Sequence, residues 1–507
     1  MRYRSAIFVA LSAVACGPQK VAVDPAIAAR ATLVQADANL RAGCFDCLAE
    51  ALKQYESVRG VPAVAELATT GAFRASAFLA LRERELGTTD SGYLERARVL
   101  AATNPALQTA LATELDIIDQ MPWRAGAGRS GSPDSGIRIF SNRDQRLRDL
   151  RATALRDELG AYIFIAYACE SGAGLSMGTG EMKAAIGAFA DVPVVAFRLS
   201  TCPTSGVTQF DAIVDKEPRF KEAALYRGLR ATSDRKLDDA DARYREAYAW
   251  RKTWPAVTLA LANVAMSAEE FEISRAFYDE TLELAPLFPD ALLGKLRALT
   301  YLGNAEEAMR VADQLIEISR YPGDAHYWKA YNELQLERND AAWTDIEAAD
   351  KSLINSDVPK LAGIIAINRK ELEVSRQKLE LSRQRNAQDC QTLYYLHLVD
   401  ADLRQWTSTA SGAVAAAGCI TAAETGLRSQ IEEIRASTVP DARKLRQIAA
   451  REQQIASGIR MRANCWYNGA VANYNLAKKD VAREFAERVV DDEQLGERAK
   501  QLLAQLK

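Results

Sequence analysis

Four groups of residues in this 507-residue chain are of types that could do chemistry. Cys44-Phe45-Asp46-Cys47 has the spacing of a redox pair or of half a zinc site. Gly172 to Gly180 is glycine-rich, as in loops that offer backbone N–H groups to an anion at a helix N-terminus. His326 and His397 are the only histidines available as a base for a Ser or Cys nucleophile. Asp239 with Asp241, and Glu269 with Glu270, are clustered carboxylates. Each group fails on its surroundings. No second C-x-x-C completes a metal site, and Leu40-Arg41-Ala42-Gly43 ends a helical pattern where a thioredoxin-like motif would follow a strand. The pair therefore reads as a disulfide or as two buried thiols. The glycine stretch has no Gly-Lys-Ser/Thr after it and no strand before it, and reads as a connection between helices. His326, beside Tyr327 and Trp328, and His397, among Tyr394, Tyr395 and Leu398, read as packing or surface residues. Carboxylates one or two positions apart do not face each other on a helix and read as solvated surface or first-turn charges. No catalytic residue, metal or cofactor is expected, and the chain is read as non-enzymatic.

The composition points the same way. Hydrophobic residues make up 48% and charged residues 26%, with a net charge of −3 and the two signs interleaved, so nothing argues for nucleic acid. The N-terminus stands apart. Arg2 and Arg4 precede an apolar run over residues 6–11, then Ser12-Ala13-Val14-Ala15-Cys16-Gly17. The run is too short to span a bilayer and has the form of a signal-peptide core. Its end resembles the lipobox of bacterial lipoproteins, with Ala13 where that family usually has Leu; Ala13-Val14-Ala15 also fits an ordinary cleavage site. The resemblance implies a signal peptide over 1–15, acylation of Cys16 and a lipidated tether over 16–27, with Gly17 suiting onward sorting to an outer membrane facing the periplasm. The alternative is a soluble periplasmic or secreted protein. With Cys16 set aside, an odd number of the eight cysteines remains, so at least one is unmatched.

Helical periodicity fills the rest of the chain and repeats at intervals of 34 residues. Ala240, Ser274, Ala308 and Ala342 are in register, followed four positions on by Tyr244, Tyr278, Ala312 and Ile346. Seven positions on come Ala247, Thr281, Leu315 and Ala349, and twelve positions earlier Gly228, Ala262, Leu296 and Ala330. Small residues at such a period mark stacked helical hairpins. This pattern resembles the tetratricopeptide repeat family, in which small residues of the two helices pack together and tyrosines or alanines fill the seam. The resemblance implies an all-α chain, an α-solenoid coiled as a right-handed superhelix. On that reading 28–120 holds N-terminal hairpins and 121–137 is a Gly/Ser/Pro linker. The array covers 138–353, most regular over 221–353, and 354–507 adds further hairpins, a final repeat and a capping helix. The period is expected to loosen after 353, with 361–386 and 391–416 as one longer hairpin. Leu427, Ile431 and Ile434 are expected to face Leu445, Ile448, Ile455 and Ile459 in a short antiparallel coil.

In the resembling family the first helix of each repeat lines a concave, partner-binding side. Mapped here, that face carries Asn263, Arg297, Tyr301, Tyr327 and Tyr331, with Tyr327, Tyr331 and Leu334 forming a stripe at i, i+4, i+7. Tyrosine and arginine suit recognition because they bury large areas and keep a polar end. The expectation is a scaffold or adaptor of the bacterial cell envelope with protein partners. The alternative is a small-ligand- or nutrient-binding helical lipoprotein.

Overall fold

The computed structural model describes residues 24–88, 90–121, 143–170, 182–201, 210–437 and 441–506. Cys16 with its signal sequence, residues 122–137 of the expected linker, and the glycine stretch 172–180 lie outside the described residues. Every described element is helical, with one 3₁₀ turn at Gly187–Asp191 and no strand among the described residues. The described residues form two compact units: 24–82 with 90–121, 143–170, 182–201 and 210–220, and 83–88 with 221–437 and 441–506.

The first unit holds α1 (Pro25–Ala42), α2 (Phe45–Val58), most of α3 (Ala65–Leu86), α4 (Tyr93–Ala102), α5 (Pro105–Gln120), α6 (Arg143–Thr153), α7 (Glu158–Glu170), α8 (Pro193–Ser200) and α9 (Phe210–Lys216). Asp24 caps α1 through a 2.9 Å bond from the Ala26 N–H, and Gly43, at φ 71°, makes the turn to α2. A Cβ at Gly43 would collide with the Val194 side chain of α8, so the turn needs glycine for space as well as for φ. Cys44 and Cys47 are disulfide-bonded in the first turn of α2. The unit is centred on α7, whose residues Ala161 to Ala168 are all buried. A helix that is apolar on all sides belongs in a core. Buried Arg82 reaches into this core, donating to the Tyr162 hydroxyl at 3.2 Å and lying 4.4 Å over the Phe197 ring.

In the second unit successive helices pack in antiparallel pairs. They are α10 (Ala223–Ser233) with α11 (Leu237–Trp250), α12 (Pro255–Ser267) with α13 (Phe271–Leu284), and α14 (Pro289–Tyr301) with α15 (Ala305–Glu317). Next come α16 (Pro322–Gln335) with α17 (Asn339–Asp350), and α18 (Asp357–Asn368) with α19 (Leu372–Arg385). The chain then runs into α20 (Cys390–Asp402), two long helices, α21 (Trp406–Ala436) and α22 (Asp441–Asn475), and finally α23 (Lys479–Glu487) and α24 (Gly496–Gln505). Proline opens α12, α14 and α16, where its missing N–H is no loss.

The periodic small residues lie where the paired helices come closest. The Ser274 hydroxyl donates to the Ala262 carbonyl at 2.9 Å, and Ser375 does the same to Gly363 at 2.8 Å. A larger side chain at either partner would push the helices apart. Tyr244 lies over Gly228 and Tyr278 over Gly294, each ring occupying the space of the absent Cβ.

The regularity also extends further along the chain than expected. Between the helices of each pair one residue turns left-handed: Arg235, Glu269, Gly303, Glu337, Lys370 and Arg404, each 33 or 34 residues after the last. In each, the following N–H bonds five residues back, as in Glu270 to Ala265 at 2.8 Å and Glu371 to Ala366 at 2.9 Å. This is the Schellman ending of a helix. Residues 361–386 therefore do not form one long helix; Lys370 divides them into α18 and α19. Gly303 alone among these turns has the residue that suits them, and its Cβ direction is open. Gly303→Ala is expected to lose about 1 kcal/mol from the backbone alone, read as a shifted denaturant midpoint. Glu337→Gly, relieving the same strain, is expected to lose nothing.

The coil of α21 and α22 is less closed than the sequence suggests. Ile431 and Ile455 are buried in it, but Leu445 is 69% exposed and Ile459 also faces outward. A cleft of about 460 Å³ opens between the helices, lined by Arg428, Ile431, Glu432, Arg435, Ile455 and Ile459 among others. The base is firmer: Ala416, Ala417, Ile420 and Cys465 pack together, and a disulfide joins Cys390 of α20 to Cys419 of α21. Cys465 is a buried free thiol.

Candidate functional site

Four of the five residues expected to line the partner-binding face, Arg297, Tyr301, Tyr327 and Tyr331, meet around a residue the expectation did not include. Trp328, in the middle of α16, makes edge contacts with Tyr301 at 5.8 Å, Tyr327 at 5.4 Å and Tyr331 at 5.9 Å. The Arg297 guanidinium lies 5.7 Å from the same ring, within cation–π range. Tyr301, the last residue of α14, also stacks on Phe271, the first of α13, with centroids 4.8 Å apart and planes 20° apart. A row of rings thus crosses several hairpins, from Phe271 through Tyr301 and Trp328 to Tyr331. Burial raises the Tyr395 phenol of α20 above its ordinary range, with the nearby Tyr331 phenol adding to the effect.

The row grades from wet to dry. Tyr301 is 51% exposed, whereas Tyr327 and Tyr331 are half-buried against Val358, Leu361 and Ile365 of α18. Burial pushes the Tyr327 phenol well above its ordinary range. Asn263 joins at one remove: its carboxamide oxygen accepts from the Tyr278 hydroxyl at 2.6 Å. Burial pushes Tyr278 up to about 12, with Arg297 working in the opposite direction. Asn263 is thus engaged within the fold although, like Arg297 and Tyr301, it keeps exposed surface. Trp328 and Phe271 escaped the sequence reading for a simple reason. Trp328 is one position off the Tyr327–Tyr331–Leu334 stripe, and Phe271 belongs to a second helix rather than a first.

A polar cluster occupies the seam of α15, α16 and α17. His326 Nδ1 is 2.6 Å from Asp345 Oδ1, and Lys329 is 2.9 Å from Asp313 and 3.6 Å from Asp345. Glu333, 6% exposed, is pushed up to about 7 by burial, with the Asp345 carboxylate adding to the effect. His397 is a packing residue. It is buried, its Nδ1–H donates to the Thr409 carbonyl at 3.1 Å, and burial lowers it to about 4. Among the described residues, no group of three or more His, Cys, Asp or Glu side chains is placed to hold a metal ion.

The acidic pair Glu269–Glu270 is not the solvated surface the sequence suggested. Glu270 is only 8% exposed, and its carboxylate is held by two arginines of α22. Arg443 donates from Nε and Nη2 at 3.1 Å each, and Arg446 from Nη2 at 2.5 Å. Arg451 donates to Glu269 at 2.7 Å, and Arg443 also to Asp238 at 2.7 Å.

No protein-family model matches the chain, and no curated protein matches it. Solved structures do. The chain is similar to pilF of Pseudomonas aeruginosa at 17% identity, over 38% of this chain and 89% of that one, with a TM-score of 0.35. It is similar to a thermophilic TPR protein of Thermus thermophilus at 11% identity, over 35% and 98%, with a TM-score of 0.30. It is similar to a tetratricopeptide repeat protein of Parabacteroides merdae at 15% identity, over 56% and 98%, with a TM-score of 0.33. The second unit is an α-solenoid of tetratricopeptide-like hairpins on its own geometry, through its 34-residue register, small-residue contacts and repeated Schellman turns.

Proposed function

We propose that this chain is a non-catalytic helical-repeat scaffold of a bacterial cell envelope, anchored by acylation of Cys16 and facing the periplasm. Its second unit holds a segment of another protein along the face marked by Arg297, Tyr301, Tyr327 and Tyr331. The row of rings carries this reading. Rings that are half-buried but still wet at one end offer large contact area with little conformational entropy to lose. Arg297 at its edge suits a partner carboxylate or backbone carbonyl. The envelope address rests on the lipobox-like Ala13-Val14-Ala15-Cys16-Gly17.

Panning a displayed library of short random peptides on the full chain tests the groove. Selected peptides are expected to lose about tenfold or more in affinity on Arg297→Ala with Tyr331→Ala, in line with loss of an interface hot spot, while the helical circular dichroism stays unchanged. Unchanged affinity would remove the groove assignment. Intact mass of the membrane-extracted protein tests the anchor: a diacylated or triacylated Cys16 supports it, and a retained Met1 overturns it.

A further inference from the structure

The ion pairs between α22 and the array join residues up to 205 positions apart, from Asp238 to Arg443. They tie the tip of the α21–α22 hairpin to the turns of the first two helix pairs of the second unit. The base of the same hairpin packs with α20 and α23 through apolar side chains and a disulfide. Base and tip are thus held by different physics. The base depends on burial, which salt strengthens if anything. At the tip, the contacts to the array are arginine–carboxylate pairs, while Leu445 beside them stays exposed. Such a contact has two favourable arrangements. Docked, Glu270 is buried and fully paired; released, all the charges regain water, and neither state leaves a buried charge uncompensated.

The position of the tip matters. Glu270 immediately precedes Phe271, the first ring of the aromatic row, and the hairpin runs back from there to α20, beside the row's far end. The curvature of a solenoid is the sum of small rotations between neighbouring repeats. A strut fixed at both ends of the row sets that sum. We infer that the α21–α22 hairpin is a releasable clamp, held at its tip by Arg443, Arg446 and Arg451 on Asp238, Glu269 and Glu270. Its docking governs how far the row from Phe271 to Tyr395 can open. The second half of the inference rests on the groove reading above.

Spin labels on the exposed residues Ser233 and Ala449, in the full chain with Cys465→Ala, report the distance between tip and array. Wild type is expected to give one short distance at low salt. Arg443→Glu with Arg446→Glu is expected to lengthen and broaden it by roughly a helix diameter, about 10 Å. Wild type in about 1 M salt, where the screening length is about 3 Å, is expected to shift in the same direction. Should the double variant fold poorly, the milder Arg446→Gln with Arg451→Gln takes its place, because partly buried pairs are only partly screened by salt. A distance unmoved by both salt and charge reversal overturns the clamp. Peptides selected on the wild-type chain are expected to change affinity by about fivefold or more in the released variant. Release with unchanged affinity overturns the link to the groove but leaves the clamp standing. Failure to select any peptide counts against the groove reading alone, since the distances still decide the clamp.

Discussion

Gly294→Ala is expected to destabilise the second unit by about 3 kcal/mol, at the upper end of what one added methyl does in a packed core. Gly294 on α14 lies under the ring of Tyr278 on α13, and a Cβ there would overlap three atoms of the phenol. The ring has nowhere to go. It is 2% exposed, and its hydroxyl is fixed by the 2.6 Å bond to Asn263. Moving the ring strains the seam and leaves that hydroxyl unpaired. Two controls isolate the collision. Gly418→Ala in α21 meets open space and is expected to stabilise by about 0.5–1 kcal/mol through helix propensity. Gly294→Ala with Tyr278→Ala is expected to fall short of the summed single effects by about 2 kcal/mol, because the new methyl enters the space the ring vacates. Additive losses in urea unfolding would dispose of the collision as the cause.

Glu333→Gln is expected to raise the melting temperature near pH 8 and to lose that advantage on acidification. The folded carboxyl titrates at about 7 against an ordinary 4.5. The native state therefore holds its proton at pH values where the unfolded chain has released it. A carboxyl shifted in this direction favours the fold most below about 4.5, and its support is lost as pH rises through about 7, by up to roughly 3 kcal/mol. Glutamine removes the titration. At about 2–4 °C per kcal/mol for a unit of this size, the gain above neutrality is several degrees. His397 works in the opposite sense. Its folded value of about 4 lies below the ordinary 6.5, so its contribution is present above 6.5 and lost as pH falls toward 4. Between about pH 4.5 and 6.5 the two groups partly cancel. Wild type is expected to show a shallow stability profile there, Glu333→Gln a steeper loss on acidification, and His397→Gln a gain. Parallel profiles for all three proteins would show that neither group titrates as described.

The hairpin architecture was legible because it is written in local contacts. Ser274 opposite Ala262 is a pair of periodic positions whose small size the helix approach requires. The array's continuation past 353 was hidden by its turns. Glu337 and Lys370 are 33 positions apart rather than 34, so a strict count from Ala342 lands on Arg376 instead of Ser375, which packs on Gly363. Arg297, Tyr301, Tyr327 and Tyr331 could be placed on one face through the family resemblance, but Trp328 could not, since its contacts cross between helices in three dimensions. Glu270 was misread for a related reason. Nothing near it in sequence distinguishes a clamped carboxylate from a wet one when its partners Arg443 and Arg446 lie 173 and 176 residues away.

The long hairpin also fixes a number. An open array of repeats can gain or lose a copy with little consequence, because each contacts only its neighbours. Here α21, 31 residues long, is a ruler of about 46 Å, and its partner helix carries the arginines that hold Asp238, Glu269 and Glu270. A duplicated hairpin inserted between Phe271 and Trp406 would bring those arginines opposite Gly303 and Asn304, which offer no carboxylate where Glu269 and Glu270 stood. A deleted one would carry them past Glu270 altogether. The second unit is therefore a counted array, in which any change of copy number must be matched by a change in the length of the rod that spans it.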